Sequence, residues 1–481
     1  MLKITEIKQF IDEDFCSSKK SQARKGLAYY EAHHDIEGYK VYYVNDKGDL
    51  VEDDTRSNIK ISHPFFTEHV DQCAQYMLSG DDYIVKSDIP DLQTELNKYF
   101  DDEFKMELND LITYTKIEGD SFLYRYIDKD FKTRFKFADG LNVVEVPAKY
   151  ASDKQDHVIY HYYYKTEKEK IISKIQVWDS KEVYYYKMVD STITKDTDEP
   201  INPRPHVIYS EEDHKYYDTF GDVPFIRLDN NRKRTSDLFV IKDLIDDYDL
   251  MACGLSNNLQ DVAEGIYVVK GWQGNDLDEL TRNVKVKKQV SVGEGGDLDI
   301  KTIQVPYQAR VAKMEEDEKN IYRFGMALNT SLVGEGNATN YILKSRYALL
   351  EMKCKKLESN LKRMMKKVIT IVLDEINANL KKDYKYSDVW VEFKREVMTN
   401  AMDNAQIAQI EAQTQAVKVN MLLGLAQTLD NETVVKEICT ALDIDYNAIR
   451  DKIPEPQTME EQVLNAQNDL NNAMEQGGMS E

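Results

Sequence analysis

Residues 236–262 carry apolar or small side chains on a strict three-four alternation: Leu238, Ile241, Ile245, Tyr248, Ala252, Leu255, Leu259 and Val262. That spacing predicts one helix about 40 Å long at about 1.5 Å per residue, with a single narrow apolar seam. Asp243, Asp246, Asp247 and Asp249 fall on the opposite face. A seam this narrow suits packing against neighbouring helices, including those of other subunits, better than burial inside a large globule. Thr235, Ser236 and Asp237 follow the basic turn 230–234 and supply N-cap candidates.

Past this helix the elements come in a definite order. A strand is expected over 266–269, then Trp272, a short helix over 277–282, and a hairpin turning at Gly293, Glu294, Gly295, Gly296 and Asp297. Pro306 closes that unit, and a second helix is expected over 308–327. The segment TSLVGEGNAT is a glycine-bearing loop. Residues 341–380 then read as one helix of about 60 Å, with Tyr347, Leu350, Cys354, Leu357, Leu361, Met364, Val368 and Ile371 on its seam. Between 344 and 367, nine Lys/Arg stand against Glu351 and Glu358. This local +7 leaves −30 for the rest of a chain of net −23. Such a face is a solvated one balancing an acidic neighbour, a contact for nucleic-acid phosphate, or a match to another subunit's acidic helices.

On the N-terminal side, residues 1–80 read as mainly helical, with helices over 21–31 and 63–78, and a further helix over 91–115. From 121 to about 228 the pattern turns to short alternating strands rich in tyrosine, with 190–205 as a loop. DVWVEFKREV alternates as one strand, helices return from about 402 to 453, and the acidic tail past Pro454 is expected to be disordered.

Little in the chain points to catalysis. GxxxxGK[ST], HExxH, GxSxG and CxxC patterns are all absent, and Gly334 and Gly336 lack the Lys-Ser/Thr that holds phosphate. His33-His34-Asp35 has no further spaced ligands and reads as a turn or cap, so neither a metal nor a cofactor is expected. A charge of −23 repels nucleic acid as a whole, so any DNA contact is local, or the surface is one that DNA slides past. No run of eighteen apolar residues predicts a membrane span, and MLKITEIKQF lacks a signal-peptide core. Five widely spaced cysteines predict buried free thiols in a reducing compartment.

Four stretches carry a likeness to a known family: RKGLAYYEAHHDI at 24–36, GDVPFIRLDNN at 221–231, SDLFVIKDLIDDYDLMACGLSNNLQDVAEGIYVVKG at 236–271, and GNATNYILKSRYALL at 336–350. Glu31-Ala32 stands where the first motif usually has glycine. In this order they resemble the portal proteins of long-tailed double-stranded DNA bacteriophages, of the type from phages of Gram-positive bacteria, over roughly 20–450.

The resemblance implies an α+β portal fold that forms rings. Its parts would be a wing over 1–235, a stem helix over 236–265, a clip over 266–307, a second stem helix over 308–328, a tunnel loop over 329–340, a long kinked helix over 341–384, a wing strand over 385–400 and a helical crown over 401–453. It further implies a non-enzymatic dodecamer in the virion, assembled in the host cytoplasm, through whose axis double-stranded DNA passes without sequence specificity. Terminase large subunit, head-completion or adaptor proteins, and major capsid and scaffolding proteins are the implied partners, with no membrane. Thr330, Ser331, Leu332, Val333, Gly334, Glu335, Gly336 and Asn337 would line the channel. Leu238, Ile241, Ile245, Tyr248, Leu255 and Leu259 would pack stem against stem, and Trp272, Gly293, Gly295 and Gly296 would serve clip docking. The alternatives are a nucleic-acid-processing enzyme using the basic helix as its platform, and another virion ring or adaptor protein.

Overall fold

The computed structural model describes residues 2–45, 47–53, 56–80, 83–148, 151–165, 171–211, 214–262, 266–272, 292–301, 307–329, 340–395, 401–424 and 431–441. Helix and strand are mixed, in keeping with the α+β expectation. The chain divides into two compact units, Met1–Glu335 with Lys344–Val397, and Gly336–Leu343 with Met398–Glu481.

The first unit opens with α1 (Ile4–Phe15) and α2 (Ser18–Tyr30), a small hairpin of β1 (Tyr42–Val44) and β2 (Leu50–Glu52), and α3 (Phe65–Met77). After β3 (Val85–Lys86) come α4 (Pro90–Leu96) and α5 (Asp102–Glu118), two helices where the sequence suggests one. The chain turns after Leu96, and Asp101 caps a new helix, its carboxylate accepting from the Phe104 amide at 3.0 Å.

The tyrosine-rich stretch supplies β4 (Asp120–Ile127), β5 (Thr133–Ala138), β6 (Val143–Ala148), β7 (Ala151–Lys165), β8 (Ile171–Trp178), β9 (Glu182–Val189), β10 (Thr192–Lys195) and β11 (Arg204–Pro205). Then come β12 (Val207–Glu211), β13 (His214–Asp218) and β14 (Phe225–Asp229). One antiparallel sheet runs β10-β9-β8-β7-β6, with β11 on β9, and a second runs β14-β4-β5. The loop expected over 190–205 thus contains two strands, drawn into order because Ile193 reaches the core under α1. There Tyr184 and Tyr186 of β9 pack with Ile7, Val144, Ile159 and Ile175, while Tyr163 and Tyr164 stay exposed. Cys16 is exposed in the turn between α1 and α2, unlike the other four cysteines, which are buried.

Next come α6 (Lys242–Val262), β15 (Ile266–Trp272), β16 (Val292–Lys301), α7 (Tyr307–Gly325), α8 (Asn340–Leu380) and β17 (Trp390–Val391). α8 is one continuous helix of 41 residues. Its seam residues Leu350, Cys354, Leu357, Leu361, Met364 and Val368 are at most 3% exposed. They form the largest core, with Met77 of α3, Leu92 and Leu96 of α4, and Leu108, Leu111 and Ile112 of α5. Each such side chain contributes about 2 kcal/mol of transfer free energy. Of the wing strand expected over 385–400, the described residues 385–395 hold β17, paired with the equally short β3: Trp390 faces Lys86 and Val391 faces Val85.

In the second unit, α9 (Ala401–Gly424) and α10 (Asn431–Ala441) pack on each other. Val434 and Cys439 of α10 are buried. The tail past Pro454 lies outside the described residues.

Leu361→Ala should lower stability by about 2–5 kcal/mol through the cavity it leaves. Met352→Ala, on the exposed face of α8, should stay within about 0.5 kcal/mol. Urea-unfolding midpoints of the two variants check both.

Candidate functional site

The foot of α6, the end of α7 and the middle of α8 meet at one carboxylate. Ser236 caps the short 3-10 turn Asp237–Val240, its hydroxyl accepting from the Leu238 amide at 3.1 Å. This fixes Asp237 at the foot of α6. The Asp237 carboxylate receives Lys116 of α5 at 3.2 Å, Lys353 of α8 at 3.2 Å and the Asn230 amide at 2.7 Å. Lys353 also donates to the Gly325 carbonyl, the last residue of α7, at 3.1 Å. Both lysine side chains are buried. Burial alone would push the Asp237 carboxyl up, but the two ammonium charges and Asn230 outweigh it and hold it well below the usual carboxylate range. Lys116 likewise stays above its ordinary value, burial being overcome by Asp237.

His69 of α3 closes this node from beneath. It is fully buried, and its ring nitrogens have no hydrogen-bond partner among the described residues. Burial, helped by the nearby Lys353 charge, brings its pKa down to about 3, so the ring is neutral at physiological pH. A β-carbon on Gly325 would lie 2.3 Å from His69 Nδ1. Only glycine lets α7 end against that ring.

A second device holds the length of α6. Residues 57–63 run along it, and every second amide finds a side chain on every fourth helical residue. The Ser57 amide donates to Asp261 at 3.2 Å, Ile59 to Asn257 at 2.6 Å, Ile61 to Cys253 at 3.2 Å and His63 to Asp249 at 3.0 Å. The periods match: four helical residues rise about 6 Å, and two extended residues about 6.6 Å. Asp249 also takes the His63 ring at 2.7 Å and the buried His34 ring at 2.6 Å. Burial would raise the Asp249 carboxyl, but these partners hold it below its usual value. Asp249 is therefore fully buried and is not part of a solvated face. The His33-His34-Asp35 stretch serves this anchoring, with Asp35 paired to Lys25 at 2.5 Å and Lys242 at 2.7 Å. Among the described residues no group of three His, Cys, Asp or Glu side chains is arranged to hold a metal.

The stem residues separate into two groups. Leu238, Ile241 and Ile245 are buried within the chain, against Tyr29, Phe66, Val70, Ile117 and Ile321. They have no surface left for another subunit, because α3 and α7 of the same chain fill that side. Tyr248 is half-buried, edge-on to Phe65 at 4.9 Å and His63 at 4.8 Å. Leu255 is partly exposed and Leu259 is 55% exposed. An ion pair of 2.6 Å between Lys313 and Asp247 ties α7 to α6.

In the β15–β16 pair, Gly293, Gly295 and Gly296 are not a hairpin turn. They lie within β16, opposite a break in register: Lys270 pairs with Asp297 and Trp272 with Val292. Four residues of β16 thus oppose Gly271, a wide bulge. Gly271 and Gly295 take φ of +71° and +81°, and a β-carbon on Gly271 would approach Gly296 Cα to 3.2 Å. Trp272 sits beside the bulge, half-buried. Thr330 to Asn337 and the short helix expected over 277–282 lie outside the described residues.

Compared with known proteins, residues 14–444 match the family described as phage portal protein, SPP1 Gp6-like. The chain belongs to this family. The portal protein of Bacillus phage SPP1 is 27% identical over 364 residues, 74% of this chain and 70% of that protein. The portal protein of Clostridium phage phiCD119 is 27% identical over 430 residues, 85% and 89% of the two chains. Solved structures that resemble it include the virion of a native gene transfer agent particle (TM-score 0.39, 12% identity, 80% of this chain and 90% of that one) and the neck of the empty particle (TM-score 0.40, 12% identity, 79% and 90%). A portal protein is a structural component of the virion rather than an enzyme.

Asp237→Asn should destabilise the chain by about 3 kcal/mol at pH 7, since it leaves two buried ammonium groups without their counter-charge. Because the folded carboxyl is held below its unfolded value of about 3.9, the stabilisation is fully present above that pH and is lost as pH falls through the folded pKa. Urea unfolding of the two proteins should therefore differ at pH 7 and converge toward pH 2.

Proposed function

We propose that this chain is the subunit of a ring, a dodecamer at one capsid vertex, through which double-stranded DNA is packaged and ejected. The observation that carries this reading is the Asp237 node. It joins the foot of α6, the end of α7 and the middle of α8 into one frame, in a chain whose family is that of phage portal proteins. A ring that conducts DNA must hold it without gripping it, and a lining of net negative charge does so by repulsion. Segment 330–337, with Glu335 between Gly334 and Gly336, supplies the narrowest part of the channel on this reading. The β15–β16 unit, with Trp272 beside its bulge, is where head-completion or adaptor proteins dock. The same ring is the platform for the terminase large subunit and meets the capsid and scaffolding proteins during assembly in the host cytoplasm.

Three of the six stem positions remain for contact between neighbouring stems, Tyr248, Leu255 and Leu259, which are not sealed inside the chain. Electron microscopy and native mass spectrometry of the purified chain should show rings of about a dozen subunits. A chain that stays monomeric at every concentration removes this reading. Deleting 334–337 should leave ring formation intact and abolish packaging of DNA into capsids. Normal packaging by that variant would dissociate segment 330–337 from the channel.

A further inference from the structure

The basic face of α8 lies opposite its buried seam. At about 100° per residue, Lys355, Lys356, Lys362, Arg363, Lys366 and Lys367 centre on the side away from Leu357, Leu361 and Met364, and all six are exposed. The two acids of this stretch cancel only part of this charge. Glu351 pairs with Lys355 at 3.4 Å and Glu358 with Lys362 at 2.7 Å, but both carboxylates are shared with Arg395, whose side chain is 9% exposed. The face also extends beyond the helix. Asn360 donates to the Asp229 carbonyl at 2.8 Å and Arg363 reaches the Asp229 carboxylate at 3.4 Å. These contacts set the turn carrying exposed Arg232 and Lys233 beside it.

This concentration of positive charge stands in a chain of net −23. Copies of such a chain repel one another, so a ring of them needs a surface where unlike charges meet. The segment 344–367 holds +7 and the remainder −30, so the surface that a second copy brings is acidic. A DNA duplex is a poorer fit: its charge density of about one per 1.7 Å of axis meets the same −30 around a stripe about 18 Å long. We propose that the basic face of α8 docks against the acidic surface of a second copy of this chain and thereby overcomes the mutual repulsion of the subunits. This inference rests on the ring reading and assigns the contact that permits it.

The test is the triple variant Lys355→Glu, Lys356→Glu and Lys367→Glu in the full-length chain, with circular dichroism and urea unfolding confirming an unchanged fold. Like charges placed across an interface oppose association strongly. The subunit concentration at half-assembly, read by native mass spectrometry and sedimentation, should rise at least about tenfold. The variant keeps its acidic surface, so mixing it with wild type should end growing rings as open arcs. Wild-type rings alongside variant rings that form at the same concentration overturn this inference and leave the ring reading standing. Normal variant rings that lose retention of a labelled DNA duplex also overturn it and assign the face to DNA. A wild-type chain that never assembles removes both readings.

Discussion

The Asp237 carboxylate is a costly group to enclose, and the frame around it is what makes its ionised form tolerable. An isolated carboxylate in that position would take up a proton. Two ammonium groups and the Asn230 amide keep it charged, and those partners come from separate parts of the sequence. Lys116 belongs to α5, Asn230 to the turn before α6, and Lys353 to the long helix α8. Lys353 in turn binds the carbonyl that ends α7. None of these groups can leave without stranding another, so the four helices are held in one arrangement. Hydrophobic burial would tolerate small slips among helices, whereas an enclosed charge with directional partners does not.

Much of this frame was legible in the sequence where periodicity is long. α8 spans Asn340–Leu380 against an expected 341–380, since a three-four seam kept over about seven turns has no other reading. α7 spans Tyr307–Gly325 against an expected 308–327. Shorter features were less so. The break between α4 and α5 depends on one cap, Asp101, within a region of helical character. The glycines of β16 read as a turn because clustered glycines usually make one; a bulge uses the same conformational freedom inside a strand. Along the seam of α6, Leu238, Ile241 and Ile245 are covered by α3 and α7, which sequence spacing cannot distinguish from a neighbour's helices.

The feature that the sequence concealed most completely is the strap over 57–63. It has no periodicity of its own, and its bonds run from backbone amides to side chains. Asp249, Cys253, Asn257 and Asp261 repeat every four residues along α6. That repeat of short acceptors is a signal, but the acids within it look like solvated surface when judged by residue type. Burial of Asp249 between two histidines reverses that judgement.

The node and the strap together determine where a displacement of α7 or α8 would be felt. α8 begins at Asn340, and Lys353 lies thirteen residues further on, about 20 Å along the axis. α7 ends at Gly325, whose carbonyl Lys353 binds. A displacement of the turn of α8 that carries Lys353, or of the end of α7, therefore reaches the node directly. At the node it meets Asp237, and beyond Asp237 lies α6, which the strap holds along its length. From Asp237 such a displacement passes to α5 through Lys116. It does not act by sliding α6, because a slip would break four strap hydrogen bonds at once.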